Sequence, residues 1–437
     1  MAEDYVIGVT QSLSTVGAAA WDALLHAQAN PSPFMRHAYL TALIDSGSAR
    51  ARTGWQPHCI AVRQGGALVA ACVVFEKSHS YGEYVFDWAW AHAYAQHGLD
   101  YYPKAVCAVP FTPVPGARLM AASPGARAAL LQALLRWCQE RQLSSLHLLF
   151  LDDADVAACE QAGLMLRHTV QFHWKNTNPG YADFDAFLAS LTQDKRKKIR
   201  QERRKVQDAG VTFRWAQGRD ITATDWDFFY RCYERTYLEH GNAPYLNRDF
   251  FRRMADTLAE HWLLFIALRS GRPIASSLIA LGADFTGANS PNTVGDGAPA
   301  CFAQVKEEPA QRAGDTEQNM LAPSLRPNKP DGIQRLMQKT AYGRYWGALE
   351  RVDCLHFEAC YYQPLQWCIE HGYQRFEGGA QGEHKMARAL LPVKTTSAHW
   401  LAHPAFADAV ERFLVREGED VDAYLHALQR RSPLKPI

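Results

Sequence analysis

Near the end of the chain, a strand-like run leads through glycines into a helix-like run, in the segment FEGGAQGEHK at residues 376–385. The backbone N–H groups of such a turn, here at Gly379 and Gly382, suit an anion. The residues that follow supply a base, a titratable donor and a fixed cation: Glu383, His384 and Lys385. The segment predicts a site for an anionic group or an oxyanion, with an ordinary turn capped by charged residues as the structural alternative.

A second candidate lies upstream, where AYGRYWG at 341–347 precedes LHFEACYYQ at 355–363. If the latter is helical, its carboxylate and aromatic residues share one turn. A glutamate among aromatic rings can act as a general base, because burial raises its pKa. The alternative is an acid near a helix N-terminus that complements the macrodipole. The candidate residues are Arg344, Tyr345, Glu358 and Tyr361.

The segment SHSYGEYVFDWAWA at 78–91 places two carboxylates, Glu83 and Asp87, among aromatic residues that include Trp88. Burying a carboxylate is costly unless it is paired, so the ammonium group of a substrate could be the partner that these acids require. In the alternative interpretation, the segment is a regular strand with aromatic residues inward and acids exposed. The sequence leaves both interpretations open.

Eight cations crowd the run KRKKIRQERRK at 195–205, while the whole chain carries a formal charge of only +1. Leu191, Ile199 and Val206 form a thin apolar stripe, which predicts a helix lying on the surface. The functional interpretation is contact with the phosphates of tRNA, a nucleotide or a coenzyme, and the structural one is a solvated face. The phosphate-binding candidates are Lys195, Arg196, Lys198 and Arg200.

Several familiar chemistries are absent from the sequence. It contains no GxSxG, no Walker loop and no GxGxxG after a strand, which argues against hydrolases, kinases and dinucleotide-dependent oxidoreductases. The ten cysteines form no CxxC pair, and Cys354, His356 and Cys360 match no zinc spacing, so we expect buried, reduced thiols and no metal. No signal-peptide pattern or apolar run of about 18 residues is present, so a cytoplasmic location is the expectation.

The elements that must position these residues are duplicated along the chain. Residues 60–75 align without a gap with residues 266–281, pairing Ile60 with Ile266, and both segments read as a β-hairpin around a glycine-containing turn. Each half continues with a strand, a helix that ends near a Trp-Cys pair, and another strand. This order predicts an α+β fold in which helices flank a mixed, mainly antiparallel sheet.

The pattern predicts a first domain at 1–177, a second domain at 178–400 and a helical tail at 401–437. Asn-Pro-Gly at 178–180 punctuates the chain at the proposed boundary. An insertion at 283–339, rich in Gly, Pro, Asn, Ala and Gln, interrupts the second domain and is expected to be disordered.

Six segments resemble the FemAB-like predicted N-acyltransferases of bacteria, a family within the wider GNAT superfamily. The resemblance implies two GNAT-like domains and transfer of an acyl or aminoacyl group to an amine, in connection with peptidoglycan or the cell envelope. The implied co-substrate is acyl-CoA or aminoacyl-tRNA, with no tightly bound cofactor. The segments, found between about residue 31 and residue 400, are SHSYGEYVFDWAWA, YYPKAVCAVPFTPVPGARL, KRKKIRQERRKVQDAGV, AYGRYWG, LHFEACYYQ and GAQGEHK.

The sequence departs from GNAT enzymes at residues 349–354, LERVDC, which contain no glycine. A coenzyme A-dependent member would carry an Arg/Gln-x-x-Gly-x-Gly/Ala loop there, which brings backbone N–H groups against the pyrophosphate. This departure weakens the acetyl-CoA interpretation. It leaves room for tRNA on the basic run, and for a first domain that has drifted into substrate binding.

The sequence therefore predicts an N-acyltransferase whose reaction takes place between two domains. The expected base or proton relay is Glu358 or His384. Arg344 and Lys385 are expected to hold the donor's anionic group or the oxyanion, and Glu83 with Asp87 to orient the acceptor ammonium. A non-catalytic module that binds peptide, glycan or tRNA through the same cleft is the second hypothesis. A nucleic-acid-binding protein without transfer chemistry is the third.

Overall fold

The computed structural model describes residues 4–282, 339–380 and 382–435 of the 437-residue chain. Apart from Lys339, the predicted insertion at 283–339 lies outside the described residues. The strands of the described part form a single 13-stranded sheet, which carries helices on both faces.

The first half of the chain supplies seven strands and five helices. The strands are β1 (Tyr5–Thr10), β2 (Trp55–Gln64), β3 (Ala67–Lys77), β4 (Lys104–Cys107), β5 (Met120–Ala121), β6 (Ser145–Leu151) and β7 (Met165–Lys175). The helices are α1 (Ala18–His26), α2 (His37–Asp45), α3 (Trp88–Gln96), α4 (Pro124–Glu140) and α5 (Asp153–Gln161).

The second half supplies the remaining strands and helices. The strands are β8 (Val211–Gln217), β9 (Trp262–Arg269), β10 (Arg272–Gly282), β11 (Thr340–Ala348), β12 (Arg375–Ala380) and β13 (Leu391–Leu401). The helices are α6 (Phe184–Ser190), α7 (Gln193–Asp208), α8 (Ala223–Glu239), α9 (Arg248–Thr257), α10 (Leu355–Phe357), α11 (Gln363–Glu370) and α12 (Pro404–Arg430). A π-helical turn, Glu358–Tyr362, joins α10 to α11, and a 3-10 helix, Glu383–Arg388, follows β12.

The duplicated segments fold as antiparallel hairpins, as predicted, but their alignment was wrong by one residue. The β2–β3 turn has left-handed backbone at Gly65 and Gly66, with φ of 56° and 84°. The β9–β10 turn has it at Ser270 and Gly271, with φ of 51° and 73°. Gly66 therefore corresponds to Gly271, whereas the ungapped alignment paired Gly271 with Gly65. Because side chains alternate along a strand, a shift of one residue exchanges the two faces, and Ile60 and Ile266 indeed lie in different cores.

The two halves of the sheet have the same strand arrangement when each is followed inward from its own edge. The strand order runs β1-β2-β3-β4-β6-β13-β7-β12-β11-β10-β9-β8, with β5 attached to β3. Each half contains one parallel pair, β4 with β6 and β11 with β12. The last strand of each half crosses over, so that β13 pairs with β6 and β7 pairs with β12. Each half is thus completed by a strand from the other, while a domain boundary at residue 177 stays a prediction.

Alternate side chains of the sheet enter separate cores on its two faces. On one face, a single core crosses both halves beneath α1, α2, α8 and α9. On the other face, α4 and α5 cover the first half, and α6, α7 and α11 cover the second.

Two helices begin or end where the sequence indicates. Ser123 caps α4 by accepting a hydrogen bond from the Ala126 N–H, and Pro124 occupies the first helical position. The helix predicted over residues 355–371 is present as α10, the π-helical turn and α11, and Gly372 follows it with φ of 69°.

The strand interpretation of residues 78–91 was wrong. β3 ends at Lys77, and the chain then turns through Tyr84, whose φ of 62° lies in the left-handed region, before α3 begins at Trp88. The turn brings both carboxylates of this segment onto one buried lysine, Lys104.

Candidate active site

β11 and β12 are parallel neighbours over only three residue pairs, the last being Tyr342 with Glu377. Beyond that pair, β11 bulges against β10 and its pairing with β12 stops. Gly343 stands at the point of separation, where an added Cβ would lie 2.8 Å from the Phe376 ring. The two strands therefore leave a gap in the sheet.

A cavity of about 150 Å³ occupies this gap. Residues of β10, β11, β12, the helix that begins with α10 and the 3-10 helix Glu383–Arg388 form its walls. Four residues predicted from the sequence line it together: Arg344, Tyr345, Tyr361 and Lys385. Three polar residues without a predicted role also line it: Ser277, His356 and Cys360.

Lys385 is buried in the wall of the cavity. Desolvation lowers the pKa of its ammonium group to about 8, and the charge of Arg344 acts in the same direction. Its Nζ atom donates to the Gly379 carbonyl oxygen at 3.3 Å. The following turn is held by Arg388, which donates to Glu202 at 2.7 Å and lies 3.6 Å from the centre of the Phe357 ring. A buried cation with a pKa near neutrality is thus fixed beside the gap.

Arg344 connects the cavity to the first half of the chain. One of its Nη atoms donates to the Phe111 carbonyl oxygen at 3.0 Å, and its guanidinium lies 5.7 Å from the Phe34 ring and 5.6 Å from the Tyr345 ring. Its Nε is buried and has no hydrogen-bond partner among the described residues. A cation with unused donor capacity therefore faces the gap.

Two histidines contact Tyr361, which lines the cavity. The His384 Nε2 atom lies 3.4 Å from the Tyr361 hydroxyl, and the His356 ring packs edge-on against Tyr361 with centroids 5.7 Å apart. Burial and the neighbouring cations lower the pKa of His356 to about 4, and the same causes lower the pKa of His384. Both rings are therefore neutral at pH 7, and each can donate or accept a hydrogen bond.

His384 also borders a second, larger depression of about 410 Å³. Lys195 of α7 and Arg431, just beyond α12, are its cationic walls. Glu383 faces Arg431 at 3.0 Å and accepts from the Tyr424 hydroxyl at 3.0 Å. The predicted cluster of Glu383, His384 and Lys385 is therefore divided between two adjoining spaces.

The structure does not bring Glu358 to the cavity. Its carboxylate is 3.1 Å from the Arg203 guanidinium of α7 and accepts from the Gln363 side chain at 2.7 Å. These contacts hold one carboxylate oxygen toward α7; the other, Oε2, is buried without a hydrogen-bond partner among the described residues, and Glu358 does not line the cavity. Sequence spacing placed Glu358 beside Tyr361 but could not show that the basic helix would supply its partner.

The acids Glu83 and Asp87 face a partner from within the chain. Lys104 is fully buried, with its Nζ 2.8 Å from Glu83 and in direct contact with Asp87, and it also donates to Ser80 at 2.9 Å. The expectation that a substrate ammonium pairs with these carboxylates is therefore corrected, because Lys104 already occupies that position. Trp88 is 42% exposed at the start of α3 and does not line the cavity.

The basic run forms α7, as the apolar stripe predicted, with Ile199 and Val206 buried. Of the predicted phosphate-binding residues, Lys198 and Arg200 are exposed, and Lys195 and Arg196 are partly buried. Arg200 lies 3.7 Å from the exposed Asp185. Buried Glu202 connects α7 to the cavity wall, because it accepts from both Arg388 and the Tyr362 hydroxyl. The cationic face of α7 and the cavity thus belong to one rigid arrangement.

Two glycines of the 376–385 segment allow its backbone conformation. Gly379 and Gly382 have φ of 75° and 95°, in the left-handed region that favours glycine. A Cβ at Gly382 would lie 2.5 Å from the His384 ring. The carbonyl of Gly379 faces Lys385, so this part of the turn presents an acceptor to the cavity wall. Anion binding by the N–H groups of these glycines stays a prediction.

The equivalent gap in the first half is filled by the chain itself. β4 and β6 pair in parallel up to Cys107 with Leu148. Beyond that pair lies Arg118, 2% exposed, whose Nε donates to the Leu149 carbonyl at 3.0 Å. The Gly116 N–H donates to the Phe150 carbonyl at 3.0 Å. The segment around Arg118 therefore closes the first gap, and only the second contains the cavity described above.

Sequence reasoning passed over Glu377, which lies at the last residue pair before the gap. Its side chain is 5% exposed, and its Oε2 atom has no hydrogen-bond partner in the described parts of the chain. Desolvation raises the pKa of this carboxyl to about 7, against the opposing charges of Arg375 and Arg344. The sequence signal for Glu377 was its position in a strand directly after Phe376, which predicts that the two side chains point to opposite faces of the sheet.

A family model described as peptidoglycan biosynthesis/recognition, FemAB-like, matches residues 12–286 and 330–436. The chain belongs to the FemAB-like family. It is accordingly a transferase, and the mixed sheet with helices on both faces confirms the predicted α+β fold. No curated protein matches the sequence.

Several solved structures resemble this FemAB-like chain. The C-terminal domain (DUF2156) of a putative lysylphosphatidylglycerol synthetase from Agrobacterium fabrum is 9% identical, with a TM-score of 0.49, covering 91% of this chain and 96% of that one. FemX is 10% identical, with a TM-score of 0.48 and coverage of 93% and 100%. A tandem GNAT protein from the clavulanic acid biosynthesis pathway is 10% identical, with a TM-score of 0.42 and coverage of 92% and 99%.

No group of three or more His, Cys, Asp and Glu side chains within residues 4–282, 339–380 and 382–435 could hold a metal ion. Within the same ranges, no helix has the length and apolar character needed to cross a bilayer.

Proposed function

We propose that this FemAB-like protein transfers an acyl or aminoacyl group from an ester or thioester donor to the amine of a cell-envelope precursor, in the β11–β12 gap. The observation that carries the proposal is the cavity where Arg344, Tyr361 and buried Lys385 converge. Its counterpart in the first half is closed by Arg118, which favours the second half as the place of the reaction.

Lys385 and Arg344 suit the stabilisation of an oxyanion. When an amine attacks the donor carbonyl, negative charge develops on the carbonyl oxygen, and fixed cations in a poorly solvated site stabilise that charge more than water does. Lys385 is protonated below a pKa of about 8, so it carries its charge at neutral pH. Tyr361, which lines the cavity, and His384 form a neutral hydrogen-bonding pair that is suited to orienting the donor.

The donor's phosphates are placed on the α7 side. Lys195 and His384 both line the larger depression, and the exposed cations of α7 continue from it along the surface. Sixteen residues of α-helix extend about 24 Å, longer than one pyrophosphate requires and suited to successive phosphates of a nucleic acid. Aminoacyl-tRNA is therefore the preferred donor, with acyl-CoA as the alternative that the same cations would accept.

The turn before α10 bears on the acyl-CoA alternative. It contains no glycine, yet Cys354 at the helix N-cap adopts the left-handed conformation, with φ of 67°. A cysteine Cβ thus stands where a GNAT pyrophosphate loop would present bare backbone. This feature supports tRNA over coenzyme A.

The test supplies both donors to the purified full-length protein. Radiolabelled acetyl-CoA, or tRNA charged with a radiolabelled amino acid, is incubated with an extract of bacterial cell-envelope precursors, and label in base-stable amides is measured. We expect amide product from at least one donor, and a loss of about 100-fold or more in Lys385→Met, the scale for removing an oxyanion donor. Lys394→Met, which changes an exposed lysine on β13, is the matched control.

Two results would contradict the proposal. One is binding of either donor without any amide product from the wild-type protein, which would favour a non-catalytic binding module. The other is unchanged transfer in Lys385→Met, which would show that the reacting carbonyl lies elsewhere.

A further inference from the structure

Residues from both faces of the sheet line the cavity. Phe376 belongs to the core on the α11 face, and Tyr345 belongs to the core on the opposite face, yet both line the cavity. The donor's phosphates are placed on the α7 and α11 side. The opposite boundary of the cavity is the face that carries Tyr345 and Arg344.

Glu377 lies on that second face, at the residue pair where the gap begins. It follows Phe376 in β12 and so points to the face opposite α11. Its neighbour on β7 is His173, with Nδ1 3.9 Å from the carboxylate, and its neighbour in β12 is Arg375, at 3.3 Å. Arg344, from the cavity wall, is close enough to lower the pKa of Glu377.

Resting on the proposed acyl transfer, we infer that Glu377 is the general base that receives the proton of the acceptor ammonium. Its Oε2 atom is buried and has no hydrogen-bond partner among the described residues, so one acceptor position is open. Glu358 also has a buried Oε2 atom that is unpartnered within the described part of the chain, and its other oxygen is bound to Arg203 of α7, whereas Glu377 lies between Phe376 and Gly378, which both line the cavity. Geometry therefore separates the two glutamates, although the sequence favoured Glu358.

The surroundings keep Glu377 suited to this role at neutral pH. The facing titratable groups are Arg375 on its own strand, Tyr342 and Arg344 on β11, and His173 on β7. Burial and nearby cations, Lys385 among them, lower the pKa of His173 to about 3, so it is neutral and does not compete for the proton. The carboxyl's own pKa of about 7 matches the pH at which a general base is most effective.

The step balances as follows. The acceptor R–NH3+ gives one proton to the Glu377 carboxylate, and the freed nitrogen lone pair attacks the acyl carbon. The C–N bond forms while the carbonyl π electrons move to oxygen, beside Lys385 and Arg344. The C–O or C–S bond of the donor then breaks, and the second proton of the nitrogen passes to the leaving oxygen or sulfur.

The experiment compares two nucleophiles in the full-length protein: the amine that the precursor extract supplies, and hydroxylamine, which is uncharged at neutral pH and needs no base. We expect Glu377→Gln to lose about 100-fold in kcat/KM toward the ammonium acceptor, while hydroxylaminolysis of the donor stays within about threefold of wild type. Glu377→Asp should recover part of the loss. Glu370→Gln, at an exposed position of α11, is the matched control and should match wild type.

A pH profile adds a readout that a structural role would not change. Wild-type kcat/KM should rise as pH increases through about 7, because Glu377 must be ionised, and Glu377→Gln should lose that limb. Equal loss with both nucleophiles, or no loss with either, would overturn the assignment while leaving acyl transfer intact. Absence of transfer by the wild-type protein would instead refute the proposed function itself.

Discussion

Replacing Lys104 by methionine removes the one ammonium group that contacts both Glu83 and Asp87. All three side chains are 3% exposed or less, so the two carboxylates would remain buried without that partner. Removing one member of a buried ion pair typically costs about 3–5 kcal/mol, because it leaves an uncompensated charge. We expect Lys104→Met to lower the free energy of unfolding by about this amount at pH 7, since methionine retains the volume but not the charge.

The assay is urea unfolding followed by tryptophan fluorescence and circular dichroism, with the triple variant Glu83→Gln/Asp87→Asn/Lys104→Met as the matched control. Neutralising the acids removes the uncompensated charges, so the triple variant should recover most of the loss. A cost below about 1 kcal/mol in Lys104→Met, or a triple variant less stable than the single one, would refute this account. Improved acceptor binding with unchanged stability would restore the substrate-ammonium role first expected for the two acids.

The pH dependence of this cluster has a definite sign. Lys104 lowers the pKa of Asp87, so the stability contributed by Asp87 is present above its unfolded value of about 3.9 and is lost as pH falls. Glu83 behaves in the opposite way, because desolvation raises its pKa to about 7. Between about pH 4.5 and 7 the unfolded chain releases the Glu83 proton while the folded chain retains it, so stability falls as pH rises. Glu83→Gln should remove that slope.

Three further predictions concern the sheet and its gap. Fragments 1–177 and 178–437 should be insoluble when expressed separately and should yield folded protein when expressed together, because β7 and β13 each complete the other half. Independent folding of both fragments would contradict the strand exchange. Transfer activity should fall as pH rises through about 8, where Lys385 loses its proton, and a rate that stays constant from pH 7 to 10 would remove its charge from the mechanism. Cys354→Gly should raise the unfolding free energy by about 1 kcal/mol, because glycine relieves the left-handed conformation at φ 67°, and calorimetry that shows a loss would contradict that reasoning.

Local signals in the sequence predicted much of the fold. The hairpins, the Ser123 cap of α4, the surface helix α7 and the helix over residues 355–370 follow from alternation, capping residues and apolar spacing. The exchange of β7 and β13 could not be predicted in this way, because either strand has a suitable pattern for pairing with β6 or β12. The choice between them depends on contacts between residues more than 200 positions apart, such as His399 with His147.

The site was predicted in part, for a similar reason. Arg344, Tyr345, Tyr361 and Lys385 were identified by type and meet at one cavity. Glu358 and the pair Glu83 and Asp87 were misjudged because their partners, Arg203 and Lys104, are distant in the chain. A buried acid signals a need for a cation, but sequence alone does not show whether the protein or a substrate provides it.

The two halves, alike in topology, differ at one decisive place. Where β11 and β12 separate, Gly343 and Arg344 leave a cavity, and where β4 and β6 separate, Arg118 bonds across the gap to the Leu149 carbonyl. The closed half still contributes to the open one, because β7 pairs with β12 and Phe111 accepts from Arg344. Loss of the first half would therefore leave β12 paired with β11 only, without β7 on its other edge, and would leave Arg344 without its acceptor. The exchange of strands explains how one copy can lose an open site and still be required by the other.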